Sequence, residues 1–63
     1  MENLLIARRR KNLTQKELAE RIGISDLKIS RYERGDTIPK ADVLKKLANE
    51  LDVTMDFLLE GES

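Results

Sequence analysis

Sixty-three residues make one small domain with a limited core and no room for a deep substrate cavity, so no small-molecule ligand is expected. There is no cysteine and no histidine, which excludes disulfide staples and thiolate metal sites and removes the commonest metal ligand and general base; no cofactor is expected either. The apolar runs, such as Leu4-Leu5-Ile6-Ala7, fall far short of a membrane span, and the first residues do not read as a signal peptide, so a soluble, cytoplasmic chain without a membrane partner is expected. Net charge is zero, but residues 1–35 carry nine Lys/Arg against five Asp/Glu and residues 36–63 carry three against seven, a polarity of +4 and −4. A basic half suits a polyanionic partner only if its cations converge in space.

No segment alternates with a period of two, and glycine and proline fall between helical patterns, so the chain reads as all-α. The first helix is expected from Glu2 to Lys11, with Asn12 taking the left-handed conformation at its end. Thr14-Gln15-Lys16-Glu17 is a capping box that opens the second helix, flanked by Leu13 and Leu18 at hydrophobic-staple positions, and Gly23 closes it. Ser25 caps the third helix, Ile24 and Ile29 form a second staple, and Gly35 is the stop. After a loop through Pro39, a fourth helix runs from Ala41 to Leu51, with Val43, Leu44, Leu47, Ala48 and Leu51 on one face. Asp52 takes the turn, and Thr54 caps a short fifth helix through Leu59, with Val53 and Leu58 as its staple.

The informative unit is Thr14 to Gly35. Two short helices joined by so brief a turn cannot lie antiparallel and must cross steeply. Such a crossing needs a small residue where the backbones approach (Ala19), positive φ four residues on (Gly23), and an apolar residue buried by the second helix against the first (Ile29, with Tyr32 one turn later). Each feature is weak alone; the set at this spacing is specific.

These residues resemble the Xre/Cro family of phage-repressor-type regulators. Leu13-Thr14-Gln15-Lys16-Glu17-Leu18-Ala19-Glu20 is similar to the family's second helix. Gly23-Ile24-Ser25 and Ile29-Ser30-Arg31-Tyr32-Glu33-Arg34-Gly35 are similar to its turn and recognition helix, and Pro39 through Leu59 to its closing helices. The resemblance covers nearly the whole chain. It implies a single five-helix, lambda-repressor-like domain over residues 1–63 that binds operator DNA, usually as a homodimer, and so regulates transcription. The family often has glycine where this chain has Asn12 and Asp52, a Ser-like cap where it has Lys40, and polar residues where it has Leu5 and Ile6.

In that fold the third helix lies in the major groove. With Ile29 and Tyr32 buried, its outward face is Asp26, Leu27, Lys28, Arg31 and Arg34. Arg31 is the leading candidate for direct readout, because a guanidinium pairs bidentately with guanine O6 and N7; a phosphate contact is its alternative. Lys28 suits either guanine or phosphate. Leu27 suits a thymine methyl, or packing on the second helix. Asp26 can accept from cytosine N4, but a carboxylate near phosphates is repelled, and complementing the helix dipole is the preferred role. Thr14, Gln15, Ser25, Arg34, Lys40 and Arg10 are candidate phosphate contacts, each with a cap or solvated charge as its plainer reading. The resemblance implies an ion pair between Arg8 and Glu33 that joins the first helix to the third. The run Arg8-Arg9-Arg10-Lys11 spreads around a helix and reads chiefly as a solvated face.

Catalysis is a poor reading without His, Cys or a pocket. A protein-interaction module without DNA binding is the principal rival, and an antitoxin using the same DNA-binding domain is another. Phe57, Leu58, Leu59, Leu5 and Ile6 are candidates for a dimer contact, with ordinary core preferred for Phe57 and Leu58. Gly61-Glu62-Ser63 follow the last helix, as suits either a small complete regulator or the DNA-binding part of a longer one.

Overall fold

The computed structural model describes residues 1–60 and contains five helices: α1 (Glu2–Arg10), α2 (Gln15–Ile22), α3 (Asp26–Arg34), α4 (Ala41–Leu51) and α5 (Met55–Glu60). Among the described residues there is no strand, and no helix is long and apolar enough to cross a membrane. Gly61-Glu62-Ser63 lie outside the described residues.

Local chemistry sets the helix starts. Thr14 Oγ1 accepts from the Glu17 amide at 3.0 Å, while the Thr14 amide donates to Glu17 Oε1 at 2.9 Å, so the capping box closes in both directions. Glu17 is fully exposed, yet hydrogen bonding to its carboxylate from the Thr14 amide first and the Thr14 hydroxyl second holds its carboxyl below the usual value of 4.5. Ser25 Oγ accepts from the Lys28 amide at 3.3 Å, and Thr54 Oγ1 from the Phe57 amide at 3.0 Å. α4 differs: its cap is Lys40, which makes no side-chain capping bond.

The first four helices end alike. Residues with positive φ stand at Asn12 (57°), Gly23 (78°), Gly35 (80°) and Asp52 (57°). The following amide reaches back over the last turn each time: Leu13 to the Arg8 carbonyl at 3.2 Å, Ile24 to Ala19 at 3.0 Å, Asp36 to Arg31 at 3.0 Å and Val53 to Ala48 at 3.0 Å. This is the long bond of the Schellman motif, which favours an apolar side chain on the residue that donates it. Leu13 is buried, and Ile24 and Val53 pack against the core. Asp36 is the exception, polar and exposed. α1 ends one residue earlier than its pattern suggested, with Lys11 as C-cap.

Every helix contributes to one core. Leu4, Leu18, Ile29, Leu47, Leu51 and Leu58 are completely or nearly completely buried. Each such side chain is worth roughly 1.5–3 kcal/mol in apolar area removed from water, offset by chain ordering. Polar ties add direction. Asn3 Nδ2 donates to the Phe57 carbonyl at 2.8 Å and fixes α1 on α5. The Met1 ammonium donates to the Tyr32 and Glu33 carbonyls at 2.7 and 3.2 Å, placing a cation on the negative end of α3.

Candidate nucleic-acid interface

The α2–turn–α3 unit takes the arrangement expected of Thr14 to Gly35. Ala19 is buried at the crossing, Gly23 holds φ 78° and ψ 33°, and Ile29 and Tyr32 are buried against the rest of the fold. What remains outward on α3 is Asp26, Leu27, Lys28, Arg31 and Arg34, all exposed. Leu27 is 53% exposed, so packing on α2 does not account for it. An apolar side chain held into water beside two cations presents one face with both hydrophobic and donor chemistry, as a base edge carrying methyl and acceptor groups requires. Asp26 occupies the first turn of α3, where a carboxylate complements the dipole.

The N-terminus of α2 flanks this face. The amides of Gln15 and Lys16 have no partner inside the helix and suit an anion. Thr14 and Ser25 use their oxygens as cap acceptors; the Thr14 hydroxyl also serves the Glu17 carboxylate, whereas the Ser25 hydroxyl hydrogen can donate outward.

Behind the face lies a network only part of which the sequence suggested. Arg8 Nε and Nη2 donate to the Glu33 carboxylate at 2.6 and 3.1 Å, and Arg8 Nη1 donates to the Leu13 carbonyl at 2.8 Å. The two side chains are only 11% and 5% exposed. Gln15 Nε2 also donates to Glu33 Oε1, at 3.0 Å. Glu33 therefore accepts from α1 and α2 while belonging to α3, and ties the two helices of the motif to each other and to α1. Gln15, singled out for phosphate, is held from behind and keeps one amide hydrogen for an outward partner. No sequence signal marked that tie, because its partners are 18 residues apart and share no periodicity.

The remaining candidates divide. Arg34 Nη2 pairs with Asp36 Oδ2 at 3.1 Å, both side chains being well exposed, at 60% and 55%. Lys28 and Arg31 line a cleft together with Tyr32, Asp36 and Thr37, so the start of the α3–α4 loop borders the reading face; Asp36 and Thr37 were not anticipated there. Lys40 is exposed at the start of α4. Arg10 is exposed but not brought to the face by any bond: two residues past Arg8, it leaves α1 about 200° round from the side chain that meets α3. Of the dimer candidates, Leu58 is fully buried, Phe57 packs on the core, Leu5 and Ile6 are half-buried, and Leu59 is exposed. Among the described residues no cluster of acidic side chains is placed to hold a metal ion.

A Helix-turn-helix family model matches residues 4–58. The chain is 42% identical over 62 residues to the HTH-type transcriptional regulator YqaE of Bacillus subtilis (strain 168), covering 98% of this chain and 53% of that protein. It is 43% identical over 61 residues to the HTH-type transcriptional activator BcrR of Enterococcus faecalis, covering 97% of this chain and 30% of that one. The chain thus spans about half the length, or less, of these curated relatives. Among solved structures, the P22 c2 repressor in complex with synthetic operator 9T in the presence of Tl+ superposes with a TM-score of 0.90 at 31% identity, covering 97% of this chain and 92% of that one. With the capped α2, the left-handed Gly23 and the exposed face of α3 in place, the chain belongs to the Xre/Cro-type helix-turn-helix family and has its all-α, lambda-repressor-like fold.

Proposed function

We propose that this domain is the sequence-specific, double-stranded DNA-binding part of a transcriptional regulator of the repressor type, acting in the cytoplasm and not as an enzyme. The observation that carries the reading is the face of α3, where Leu27, Lys28 and Arg31 stand exposed on a helix whose other side is fixed in the core. The relatives agree in kind, since they include a transcriptional activator and a repressor in complex with operator DNA.

In this reading α3 enters the major groove. Arg31 donates bidentately to guanine, Lys28 donates to guanine or phosphate, and Leu27 covers a thymine methyl. Asp26 serves its own helix first. The α2 N-terminus with Thr14 and Gln15, and Ser25, Arg34 and Lys40, approach the backbone, which positions the helix without reading sequence. Arg10 contributes at most long-range attraction. One domain of this size reads few base pairs, so two copies on half-sites about 10 bp apart form the working unit, with Leu59 the most exposed of the proposed contact residues.

The test is a gel shift on a duplex selected from a random pool, at low and high salt, with the intact protein and Arg31→Ala. Binding that weakens steeply with salt is expected, and Arg31→Ala should lose about 1–3 kcal/mol of discrimination between the selected duplex and one altered at a single guanine. Absence of binding at low salt rejects the reading and favours a protein-interaction module.

A further inference from the structure

Asp36 is hard to explain as a stabilising residue. It is the one polar side chain at a position that the other three Schellman ends fill with Leu13, Ile24 and Val53. Its charge stands beyond the C-terminus of α3, the end where the helix dipole disfavours an anion. Its ion pair with Arg34 is exposed, and pairs of that kind add little to folding. Its placement is nevertheless defined. The amide of Asp36 is tied to the Arg31 carbonyl at 3.0 Å, its carboxylate meets Arg34 at 3.1 Å, and it borders the same cleft as Lys28 and Arg31. An anion paired with Arg34 thus borders the cleft that Lys28 and Arg31 line.

We propose that Asp36 is a specificity-determining residue: by holding Arg34 and bordering the cleft of Lys28 and Arg31, its carboxylate weakens the grip on DNA of arbitrary sequence and makes affinity depend on base contacts. The inference rests on the DNA-binding reading above. Sequence-independent affinity is set by how many phosphates the cations neutralise. Asp36 holds one donor group of Arg34 and leaves the others exposed, so a phosphate reaches Arg34 beside a carboxylate that repels it. In the register that base contacts by Arg31 fix, Arg34 meets its phosphate through donors that Asp36 leaves free, whereas a complex without base contacts shifts along the backbone and meets the carboxylate's repulsion in most registers, so the cost falls on the non-specific complex most heavily.

The experiment measures affinity for duplex DNA of mixed sequence across a range of salt, and for a duplex selected from a random pool. The proteins are the intact chain, Asp36→Asn, Arg34→Ala and the double variant. Asp36→Asn should bind mixed DNA several-fold more tightly at low salt. Its log–log salt slope should steepen by about 0.9, the value of one added phosphate contact, so that this advantage shrinks roughly 3.5-fold for a fourfold rise in salt. The preference for the selected duplex should fall, and the gain should vanish when Arg34 is also replaced. Unchanged or weaker binding of mixed DNA by Asp36→Asn overturns the proposal, as does a gain that survives undiminished without Arg34 or leaves the preference intact. If the intact protein binds no DNA at low salt, the functional reading fails and takes this inference with it; if it binds and Asp36→Asn changes nothing, only the inference fails.

Discussion

Glu33 and Arg34 are neighbours in the last turn of α3, yet the ion pairs they form differ in almost every physical respect. Glu33 turns inward, is nearly buried, and accepts two bonds from Arg8 and one from Gln15. Arg34 turns outward and makes a single contact to Asp36 with both partners in water. The same chemistry therefore serves opposite ends. A buried pair is costly to break, because removing one partner strands the other away from solvent. An exposed pair costs little to break, which leaves it available for exchange with a ligand. One step along the helix separates the pair that braces the motif from the pair proposed to meet DNA.

The comparison is most sharply tested by Glu33→Ala, which should destabilise the fold by about 3–5 kcal/mol in chemical denaturation and lower the melting temperature by roughly 15 °C or more. Pairing it with Arg8→Met, which removes the stranded charge, should recover much of the loss; an unchanged melting temperature for Glu33→Ala would remove the pair from the account of stability. Next in size is the α2 cap. Thr14→Ala should cost about 1 kcal/mol, measured the same way. The capping box also carries a pH dependence of definite sign. The Glu17 carboxyl is held below 4.5 in the fold, so its contribution is present above the unfolded value and is lost as pH falls through the lower folded value. Acid titration of stability should therefore be shallower below pH 4.5 in Glu17→Gln, and identical curves for the two proteins would count against the box as a source of acid sensitivity. Smallest is the outer pair: Arg34→Ala and Asp36→Asn should each leave stability within about 0.5 kcal/mol, and a larger loss in either would give that pair a structural role it lacks here.

What could be read from the sequence was what a few adjacent residues decide. The starts at Thr14, Ser25 and Thr54 and the stops at Asn12, Gly23, Gly35 and Asp52 follow from side chains that hydrogen-bond to nearby backbone or tolerate positive φ, and all appear where expected. The exposed face of α3 followed by subtraction once Ile29 and Tyr32 were assigned to the core. The Arg8–Glu33 pair was implied by resemblance, because nothing in a pair 25 residues apart marks it locally. Contacts that depend on how helices meet stayed hidden: Gln15 on Glu33, Asn3 on the Phe57 carbonyl, and the Met1 ammonium on the end of α3. Asp36 follows a helix stop with no cap or periodicity to mark it, since only the regularity of the other helix ends makes its polarity unusual.

The bond from Gln15 to Glu33 has a consequence for how this domain tolerates genetic change. A single base in the codon separates glutamine from glutamate, and the two side chains are almost the same size. At position 15 the exchange turns the donor into an acceptor and sets a second carboxylate 3.0 Å from Glu33, where two like charges cannot both stay ionised without moving apart. A substitution that ranks among the most conservative on any similarity scale thus replaces a tie between the motif's two helices with repulsion, while far bulkier exchanges at the exposed Lys16 next door meet only solvent.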